Sequence, residues 1–308
     1  MPRPQTAICA DGETFAIFLT MMLAERGEAT VRRLAAALPA LTLDPVVCRG
    51  VPSLVSAIGF GASAWPRLFG GNPPAGLVPF AALSDGTRTA PATPADVLLH
   101  IHSESHDANF ALARAVIERL TGAVTTVEEI HGYRRPGNRD LTGFIDGTEN
   151  PKGDERPEAA LVGDEQAEFA GGSYVSVQRF VHDLVRWERM PVAEQEAVIG
   201  RTKADDVEMD DEVKPPTAHI ARVVIEEDGQ ELQILRHSLP YGTTGEHGLY
   251  FIAYGRSPHP FRRMLERMVL AGEDGHYDHL LDYTRPVTGA AFFVPSIDFL
   301  ERFAEQGG

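Results

Sequence analysis

A carboxylate, Asp146, stands at the end of an apolar run in the string Leu-Thr-Gly-Phe-Ile-Asp-Gly-Thr-Glu-Asn-Pro of residues 141–151. Gly147 follows it directly, and Asp-Gly is a strong turn signal because Gly accepts a positive φ and Asp can bond its own backbone two residues on. We therefore expect local backbone donors to hold Asp146 in a tight turn. A carboxylate fixed in this way can carry out acid–base chemistry. Taken alone, an Asp-Gly pair is more typical of a turn carboxylate in water.

A cation, Arg236, stands in a second string, Leu-Arg-His-Ser-Leu-Pro-Tyr-Gly, of residues 235–242. Residues 232–238 are predicted to form a strand, whose side chains alternate between two faces. Arg236 and Ser238 then share one face, and His237 lies on the other. If Arg236 faces a functional cavity, Ser238 lines the same cavity and His237 does not. The alternative for Arg236 is an ordinary salt bridge on the face of a sheet.

Among the eleven histidines, His219 has the most informative position. It follows a Lys-Pro-Pro sequence, which ends any preceding element, and it opens a predicted strand at residues 220–225. A histidine at such a junction can point into a cavity without interrupting a core. His100, His102 and His106 are more typical of surface or loop histidines in the first half of the chain.

The string around Asp146 closely resembles the signature of the dye-decolourising peroxidases, a family of haem enzymes. The string around Arg236 and the string Pro-Val-Thr-Gly-Ala-Ala-Phe-Phe-Val-Pro-Ser of residues 286–296 resemble further signatures of this family, in the same order. The resemblance is strong over the second half of the chain and rests on the order of elements in the first half. By these strings the chain is identified as a member of the B-type branch of the family.

The resemblance implies haem b as cofactor, with His219 as the axial ligand of the haem iron. It also implies that Asp146 and Arg236 are catalytic residues beside the peroxide. Ser238 would share their pocket, at a position that varies between Asn and Ser among relatives. The implied reaction reduces hydrogen peroxide to water and oxidises organic substrates, dye-like or phenolic, by one electron at a time.

A histidine that ligates a metal nearly always donates its other ring N–H to an acceptor. Asp278 is the first candidate for this acceptor and Asp282 the second, and the alternative is that both are surface acids of a helix. The propionates of a haem require cations, for which Arg201, Lys203 or Arg222 are candidates. Bulky substrates would require surface aromatic residues, for which the candidates are Trp65, Trp187 and the tyrosines.

The elements predicted in the first half are strand, helix, strand, strand, helix and strand, which is a ferredoxin-like α+β unit. The second half repeats this plan loosely, without a repeat in the sequence itself. We therefore expect an α+β fold with two ferredoxin-like domains of the dimeric α+β barrel type, each an antiparallel sheet flanked by helices. Residues 1–138 would form the N-terminal domain and residues 139–308 the C-terminal, haem-binding domain. The predicted strands also include residues 6–9 and 55–65.

Composition limits the classes of function. A chain of 308 residues with 43% hydrophobic residues can bury two cores. A formal net charge of −16 argues against nucleic acid or an anionic membrane as partner, since both bind clustered Lys and Arg. Cys9 and Cys48 have no metal-ligand spacing, which favours free thiols in the cytoplasm. No segment approaches the roughly 18 apolar residues of a membrane span. The acidic run at residues 205–212 is predicted to be a solvated loop, with a hard-cation site as the alternative.

The expected partners are hydrogen peroxide, a small organic reductant and further copies of the chain in a homo-oligomer. The rival hypothesis is a haem-binding or haem-handling, iron-releasing protein whose peroxidase activity is incidental. The pair Asp146 and Arg236 favours the enzyme, because a carrier has no use for an acid–base group and a cation above the metal. Cargo of a protein nanocompartment usually has an extended C-terminal tail. The chain ends soon after the last predicted strand, so an encapsulating shell is not expected.

Overall fold

The computed structural model describes residues 2–11, 14–273 and 275–305. In these residues the helices are α1 (Glu28–Leu43), α2 (Pro45–Cys48), α3 (Trp65–Phe69), α4 (His106–Arg119), α5 (Glu155–Ala160), α6 (Leu184–Trp187), α7 (Val192–Ile199), α8 (His219–Val223), α9 (His259–Val269) and α10 (Ile297–Glu305). The strands are β1 (Phe15–Leu23), β2 (Val55–Phe60), β3 (Leu83–Ser84), β4 (Thr89–Ala90), β5 (Val97–Ser103), β6 (Val124–Tyr133), β7 (Ser173–His182), β8 (Glu226–Glu227), β9 (Gln230–Glu231), β10 (Leu235–Arg236), β11 (Leu239–Gly242), β12 (His247–Gly255), β13 (Thr284–Pro286) and β14 (Ala290–Val294). The fold is mixed α+β.

The main sheet is antiparallel and closes on itself. Its order is β10-β12-β11-β6-β1-β5-β2-β14-β7-β13, and β12 also pairs with β7, which joins the two ends into a ring. The first half of the chain contributes β6, β1, β5 and β2, and the second half contributes β14, β7, β12 and β11. The two halves meet at two seams. At one seam β11 pairs with β6 through Tyr241 and Gly132, and at the other β14 pairs with β2 through Phe293 and Phe60.

The seam between β6 and β11 requires a glycine. A Cβ atom on Gly132 would lie 2.9 Å from the Cβ of Leu239 and 3.1 Å from the ring of Phe18. These distances are shorter than ordinary carbon contacts, so only glycine lets the two strands approach so closely.

Both faces of strand β1 are buried. In β1, Ile17 and Leu19 pack in the core under the helices, whereas Ala16 and Phe18 pack in the core inside the ring. A strand covered on both faces needs apolar residues at every position. This explains why the sequence of β1 is continuously apolar and lacks the alternation that would have identified it as a strand.

Two strand predictions are wrong, and a third strand is shorter than predicted. Residues 220–225 do not form a strand, because His219–Val223 is the short helix α8, and the Lys-Pro-Pro sequence before it leads into a helical turn in which Ala218 N–H donates to the carbonyl of Pro215 (2.9 Å). Residues 6–9 form turns. The strand expected at 55–65 ends at Phe60, since α3 begins at Trp65. Short apolar runs fit helix and strand equally well, which is why the pattern failed here.

Two aromatic residues that were candidates for the surface are buried. Trp65 and Trp187 are each only 1% exposed, so neither is a surface aromatic residue. Their large apolar rings complete cores, and the indole N–H of Trp187 donates to the carbonyl of Thr142 (2.9 Å). In the part of the chain that the structure describes, no helix combines the length and the apolar character needed to cross a membrane.

Candidate active site

A large cavity lies in the second half of the chain, against the face of strands β7 and β12. Helices α8 and α9 and the segments 140–149 and 231–238 complete its wall. Much of this wall is apolar, and the side chains that make it so include Phe180, Leu249, Phe251, Phe261, Met264, Leu265, Met268 and Leu280. The polar side chains of the wall come from separate parts of the sequence, which is typical of a ligand site.

His219 lines this cavity as the first residue of α8. Its Nδ1 lies 2.6 Å from Oδ2 of Asp278, whose side chain is completely buried. The other carboxylate oxygen of Asp278 accepts the backbone N–H of Leu280 (2.9 Å), which fixes the carboxylate. A carboxylate accepts and does not donate, so Nδ1 carries the proton, and in the neutral ring Nε2 has the free lone pair. His219 is thereby prepared to act as a ligand through Nε2.

Asp282, the second candidate acceptor, lies elsewhere. Its carboxylate accepts the hydroxyl of Tyr277 (3.2 Å). Asp278 caps the 3₁₀ turn His279–Asp282, so the turn directs the two carboxylates differently. The structure therefore brings Asp278, and not Asp282, to His219.

Asp146 and Arg236 line the same cavity, and Oδ1 of Asp146 lies 3.5 Å from Nη1 of Arg236. Each of the two side chains is 25% exposed. The backbone N–H of Asp146 donates to the carbonyl of Asn138 (2.8 Å), and a turn follows at Gly147, which has a φ of +90°. This bond fixes the backbone and not the carboxylate, so the expected hold on the side chain by local backbone donors stays a prediction. Arg236 belongs to the short strand β10. An acid–base group and a cation thus stand beside each other at the cavity wall.

The side chains next to Arg236 alternate as a strand requires. Ser238 lines the cavity, and its hydroxyl accepts the backbone N–H of Ile252 (3.3 Å). His237 is only 1% exposed and points away, with Nε2 at 2.8 Å from the carbonyl oxygen of Ile8. The predicted strand 232–238 is shorter than expected, but this alternation of faces holds.

Asn150 holds the backbone of Arg236. Its side-chain Nδ2 donates to the Arg236 carbonyl (2.8 Å), and its Oδ1 accepts the Arg236 N–H (2.8 Å). This pair of bonds imitates a neighbouring strand. Because Asn150 lies four residues after Asp146, the same loop positions both members of the Asp146–Arg236 pair. The sequence analysis did not identify Asn150, although it belongs to the same string as Asp146.

Asp140 is a further carboxylate at the cavity, and it was not predicted from the sequence either. Burial raises the pKa of Asp140 to about 6, against bonds from the hydroxyl and the backbone N–H of Thr142, which lower it. The nearby charge of Asp146 raises this pKa further. A group that titrates near pH 6 therefore lies next to the candidate acid–base residue.

We expect Asp140→Asn to stabilise the protein at pH 7 and not at pH 3. Because the pKa of Asp140 is raised to about 6 by burial, the folded protein binds this proton more tightly than the unfolded chain. The stability that the proton contributes is present below the ordinary pKa and is lost as the pH rises through about 6. Asn can still accept from Thr142 but cannot ionise. The gain at pH 7 should be at most about 3 kcal/mol.

The measurement is the free energy of unfolding of both proteins by denaturant at several pH values. If the difference in the free energy of unfolding between variant and wild type is the same at pH 3 and pH 7, the raised pKa of Asp140 is contradicted. Asp183→Asn is a matched control, since Asp183 is a carboxylate outside the cavity that also accepts a backbone N–H, from Arg186 (3.0 Å).

Of the three cations expected near a propionate, Arg201 lines the cavity. It pairs with Glu149, Asp206 and Glu208. Arg222 is not among the residues of the wall, because its Nε donates to the carbonyl of Arg267 (2.9 Å) at the end of α9. Lys203 is not in the wall either, and its ammonium donates to Gln195 (2.6 Å). The structure thus gives no support to Arg222 or Lys203 as contacts of a cavity ligand.

The acidic run at residues 205–212 is held by cations. Arg201 contacts Asp206 and Glu208, and Lys214 contacts Glu208 (2.6 Å) and Asp211 (2.8 Å). Among the described residues no group of three or more His, Cys, Asp or Glu side chains is arranged to hold a metal ion. The hard-cation alternative therefore has no support from this part of the chain. Cys9 and Cys48 are free thiols.

Comparison with known proteins identifies the family of the chain. The family model described as Dyp-type peroxidase, N-terminal, matches residues 5–134, and the model described as Dyp-type peroxidase, C-terminal, matches residues 137–299. A dye-decolorizing peroxidase of Mycolicibacterium paratuberculosis is 46% identical over 302 residues, which cover 93% of this chain and 82% of the relative.

Two solved structures have the same fold. The encapsulated DyP-type peroxidase from Mycobacterium smegmatis is 44% identical, with a TM-score of 0.94 and 98% of each chain covered. A variant of DypB from Rhodococcus jostii RHA1, in complex with heme, is 40% identical, with a TM-score of 0.92 and 97% of each chain covered. From its sequence and its fold, the chain belongs to the Dyp-type peroxidase family.

Proposed function

We propose that this protein is a haem peroxidase that reduces hydrogen peroxide to water and oxidises dye-like or phenolic reductants by one electron at a time. The observation that carries the proposal is that the His219–Asp278 and Asp146–Arg236 pairs line one largely apolar cavity. A relative named as a dye-decolorizing peroxidase and a DypB structure that contains heme support it. We place the protein in the B-type branch.

The residues of the cavity fit haem b. His219 would ligate the iron through Nε2, because Nδ1 is engaged by Asp278. This carboxylate makes the imidazole more basic, which is the usual arrangement behind a histidine ligand. The apolar wall suits the macrocycle, and Arg201 would contact a propionate. When bound, haem supplies an iron that binds peroxide and accepts its oxidising equivalents.

The protein's own side chains then handle the protons and the charge. Asp146 would take a proton from one oxygen of peroxide and return it to the other oxygen, which would leave as water. Arg236 donates to the oxygen on which negative charge develops, and it is fixed before the reaction begins. Ser238 shares their wall and contributes a hydroxyl.

The test is an absorption spectrum of the purified protein after haem is added, before and after hydrogen peroxide, followed by turnover of a phenol. We expect a Soret band that changes with peroxide and returns when the phenol is added. A protein that takes up no haem would contradict the whole proposal. Haem uptake without any reaction with peroxide would favour the rival hypothesis, a haem-handling protein. The Asp146–Arg236 pair argues against that rival, since a carrier needs neither group.

Asn150→Ala is expected to slow the reaction with peroxide about tenfold and to leave haem binding unchanged. Without the two bonds from Asn150 to the backbone of Arg236, the short strand β10 can shift, and small displacements of a catalytic group are costly. The measurement is the stopped-flow rate with peroxide, together with the Soret absorbance. Asn109→Ala is the matched control, because Asn109 also binds a backbone carbonyl, that of Phe15, but lies on α4. Equal rates in the two variants would refute this role.

We propose further that the fold consists of two ferredoxin-like domains, residues 1–138 and 139–308. Support comes from the strand order β6-β1-β5-β2 in the first half and β14-β7-β12-β11 in the second. In each half these four strands lie in the order fourth, first, third and second along the chain. The separate matches to an N-terminal and a C-terminal family model agree with this boundary.

A cytoplasmic location and a homo-oligomer are also proposals. The free thiols of Cys9 and Cys48 support the first. The expectation that an encapsulating shell is unlikely is not supported, because the similar peroxidase from Mycobacterium smegmatis is encapsulated. Encapsulation of this chain therefore stays open, and the length of its end is no argument against it.

A further inference from the structure

A second cavity, of about 350 Å³, opens beside the Asp146–Arg236 pair. Its wall comes from the segments 134–140, 146–152 and 236–240 together with Asp11 and Arg156, and we call it the basic cavity. It shares Asp140, Asp146 and Arg236 with the cavity that His219 lines, so a molecule bound in it would lie next to the candidate catalytic pair.

The basic cavity has a positive wall in an acidic protein. Six basic side chains line it, against three acidic ones, whereas the whole chain has a formal net charge of −16. The basic side chains are Arg134, Arg135, Arg139, Lys152, Arg156 and Arg236. A local excess of one charge against the charge of the whole molecule concentrates ligands of the opposite sign at that place.

Two of these cations are bound by neutral groups. Arg135 donates to the carbonyl of Asp140 (2.6 Å). Arg139 donates to the carbonyls of Gly143 (2.7 Å) and Lys203 (2.6 Å). Carbonyl oxygens satisfy the N–H groups and fix the guanidinium, but they do not cancel its charge. No ion pair of Arg135 or Arg139 is recorded within the described residues, so both charges remain to attract an anion.

The size and the position of the basic cavity select the kind of anion. A volume of about 350 Å³ is at the lower end of the range for small-molecule sites and suits a molecule with one ring. Guanidinium groups bind carboxylates especially well. We propose that the basic cavity binds the carboxylate group of a small aromatic reductant, such as a hydroxybenzoate, and holds its ring beside the Asp146–Arg236 pair.

The use of this site as a substrate site rests on the proposed peroxidase function. In that reaction two phenol groups each give up one electron and one proton to one molecule of hydrogen peroxide. The products are two phenoxyl radicals and two molecules of water. The carboxylate is unchanged and serves only to position the ring, which distinguishes this site from one that takes neutral phenols.

The test compares 4-hydroxybenzoate with 4-hydroxybenzyl alcohol, which has the same ring and phenol but no charge. Binding to the haem-loaded protein is measured by calorimetry at low salt and without peroxide. We expect the acid to bind at least about tenfold more tightly than the alcohol, with a preference that weakens as salt is added. Arg135→Gln and Lys152→Gln should each reduce the affinity for the acid about fivefold and leave the affinity for the alcohol unchanged.

Arg119→Gln is the matched control, because Arg119 also donates to a carbonyl, that of Ala115 (2.8 Å), but lies on α4 outside the basic cavity. It removes the same charge and should leave both affinities unchanged. Equal affinities for acid and alcohol in the wild type, or equal effects of all three variants, would overturn the proposal. Displacement of the acid by an equal concentration of inorganic phosphate would overturn the assignment to an organic carboxylate.

A turnover measurement separates this inference from the proposed function. Preferential binding of the acid without any oxidation of it would contradict the peroxidase and leave the carboxylate site in place. Oxidation of both phenols with equal KM values, in a protein that binds them equally, would confirm the peroxidase and contradict the proposed carboxylate site.

Discussion

Replacement of His219 by alanine is expected to remove most of the bound haem or to alter its Soret band. The imidazole would be the axial ligand of the iron, and no other histidine among the residues that line the cavity is bonded to a buried carboxylate. The substitution also leaves the completely buried carboxylate of Asp278 without its imidazole partner. Loss of a partner by a buried charged group costs several kcal/mol. The measurement is the absorption spectrum of the purified variant together with its haem content.

His237→Ala is the control for this substitution. His237 lies in the string around Arg236, but its side chain points to the carbonyl of Ile8 and away from the cavity. We expect a wild-type spectrum from this variant, even if it is less stable. If His237→Ala were the variant that lost haem, both the assignment of the ligand and the alternation of faces in the strand would be refuted.

Asp278→Asn tests the partner of His219 separately. The amide still occupies the position but no longer draws the proton of Nδ1 as a carboxylate does. Changes behind a metal ligand typically cost about 10–100-fold in metal affinity or activity. We therefore expect an effect smaller than that of His219→Ala. Asp282→Asn, whose carboxylate accepts from Tyr277, should behave as the wild type.

Arg236→Leu is expected to slow the reaction with hydrogen peroxide by about 10²–10³-fold, the usual contribution of one preorganised donor. Leucine fills the space but leaves no donor for the oxygen on which charge develops. Asp146→Asn removes the proton acceptor, and acid–base groups contribute about 10²–10⁴-fold. The resemblance to the B-type branch implies that the arginine is the more important partner, so we expect the larger effect from Arg236→Leu.

Stopped-flow rates with haem-loaded variants decide between these expectations. Arg256→Leu is the control, since Arg256 pairs with Glu165 on the surface and does not line the cavity. Rates near that of the wild type in both Arg236→Leu and Asp146→Asn would leave the proposed peroxidase without a mechanism. A larger effect of Asp146→Asn would reverse the order of importance but keep the site.

The sequence predicted the candidate site better than it predicted the elements that carry it. Asp146, Arg236, Ser238 and His219 line one cavity, because short strings of fixed spacing determine local turns and strand faces. The sequence could not decide between Asp278 and Asp282, since that choice depends on a 3₁₀ turn that directs the two carboxylates differently. Nor could it show that Asn150 binds the backbone of Arg236, a contact across 86 residues.

The α+β class of the fold was predicted correctly. Each error in the predicted elements and in the predicted exposure has its own physical cause. The helix α8 was predicted as a strand because a five-residue element has too few positions for a period to show. The closure of the sheet depends on pairings such as β12 with β7 and β14 with β2, which join distant parts of the chain. Local patterns contain no information on such pairs. Trp65 and Trp187 were expected at the surface but are buried. The sequence could not show this, because large aromatic residues occur both in cores and at surfaces.

The two seams of the closed sheet can form only after the second half of the chain has been synthesised. When β6 has been synthesised, a sheet formed by the first half of the chain has two outer strands, β6 and β2, each without a neighbour on its outer side. Their partners β11 and β14 follow much later in the chain, and β14 is complete only at Val294. At ordinary rates of translation the delay is roughly ten to thirty seconds. During that time the nascent protein exposes strand edges that can pair with another chain, so its yield in the cell depends on how well these two edges are protected until the second half arrives.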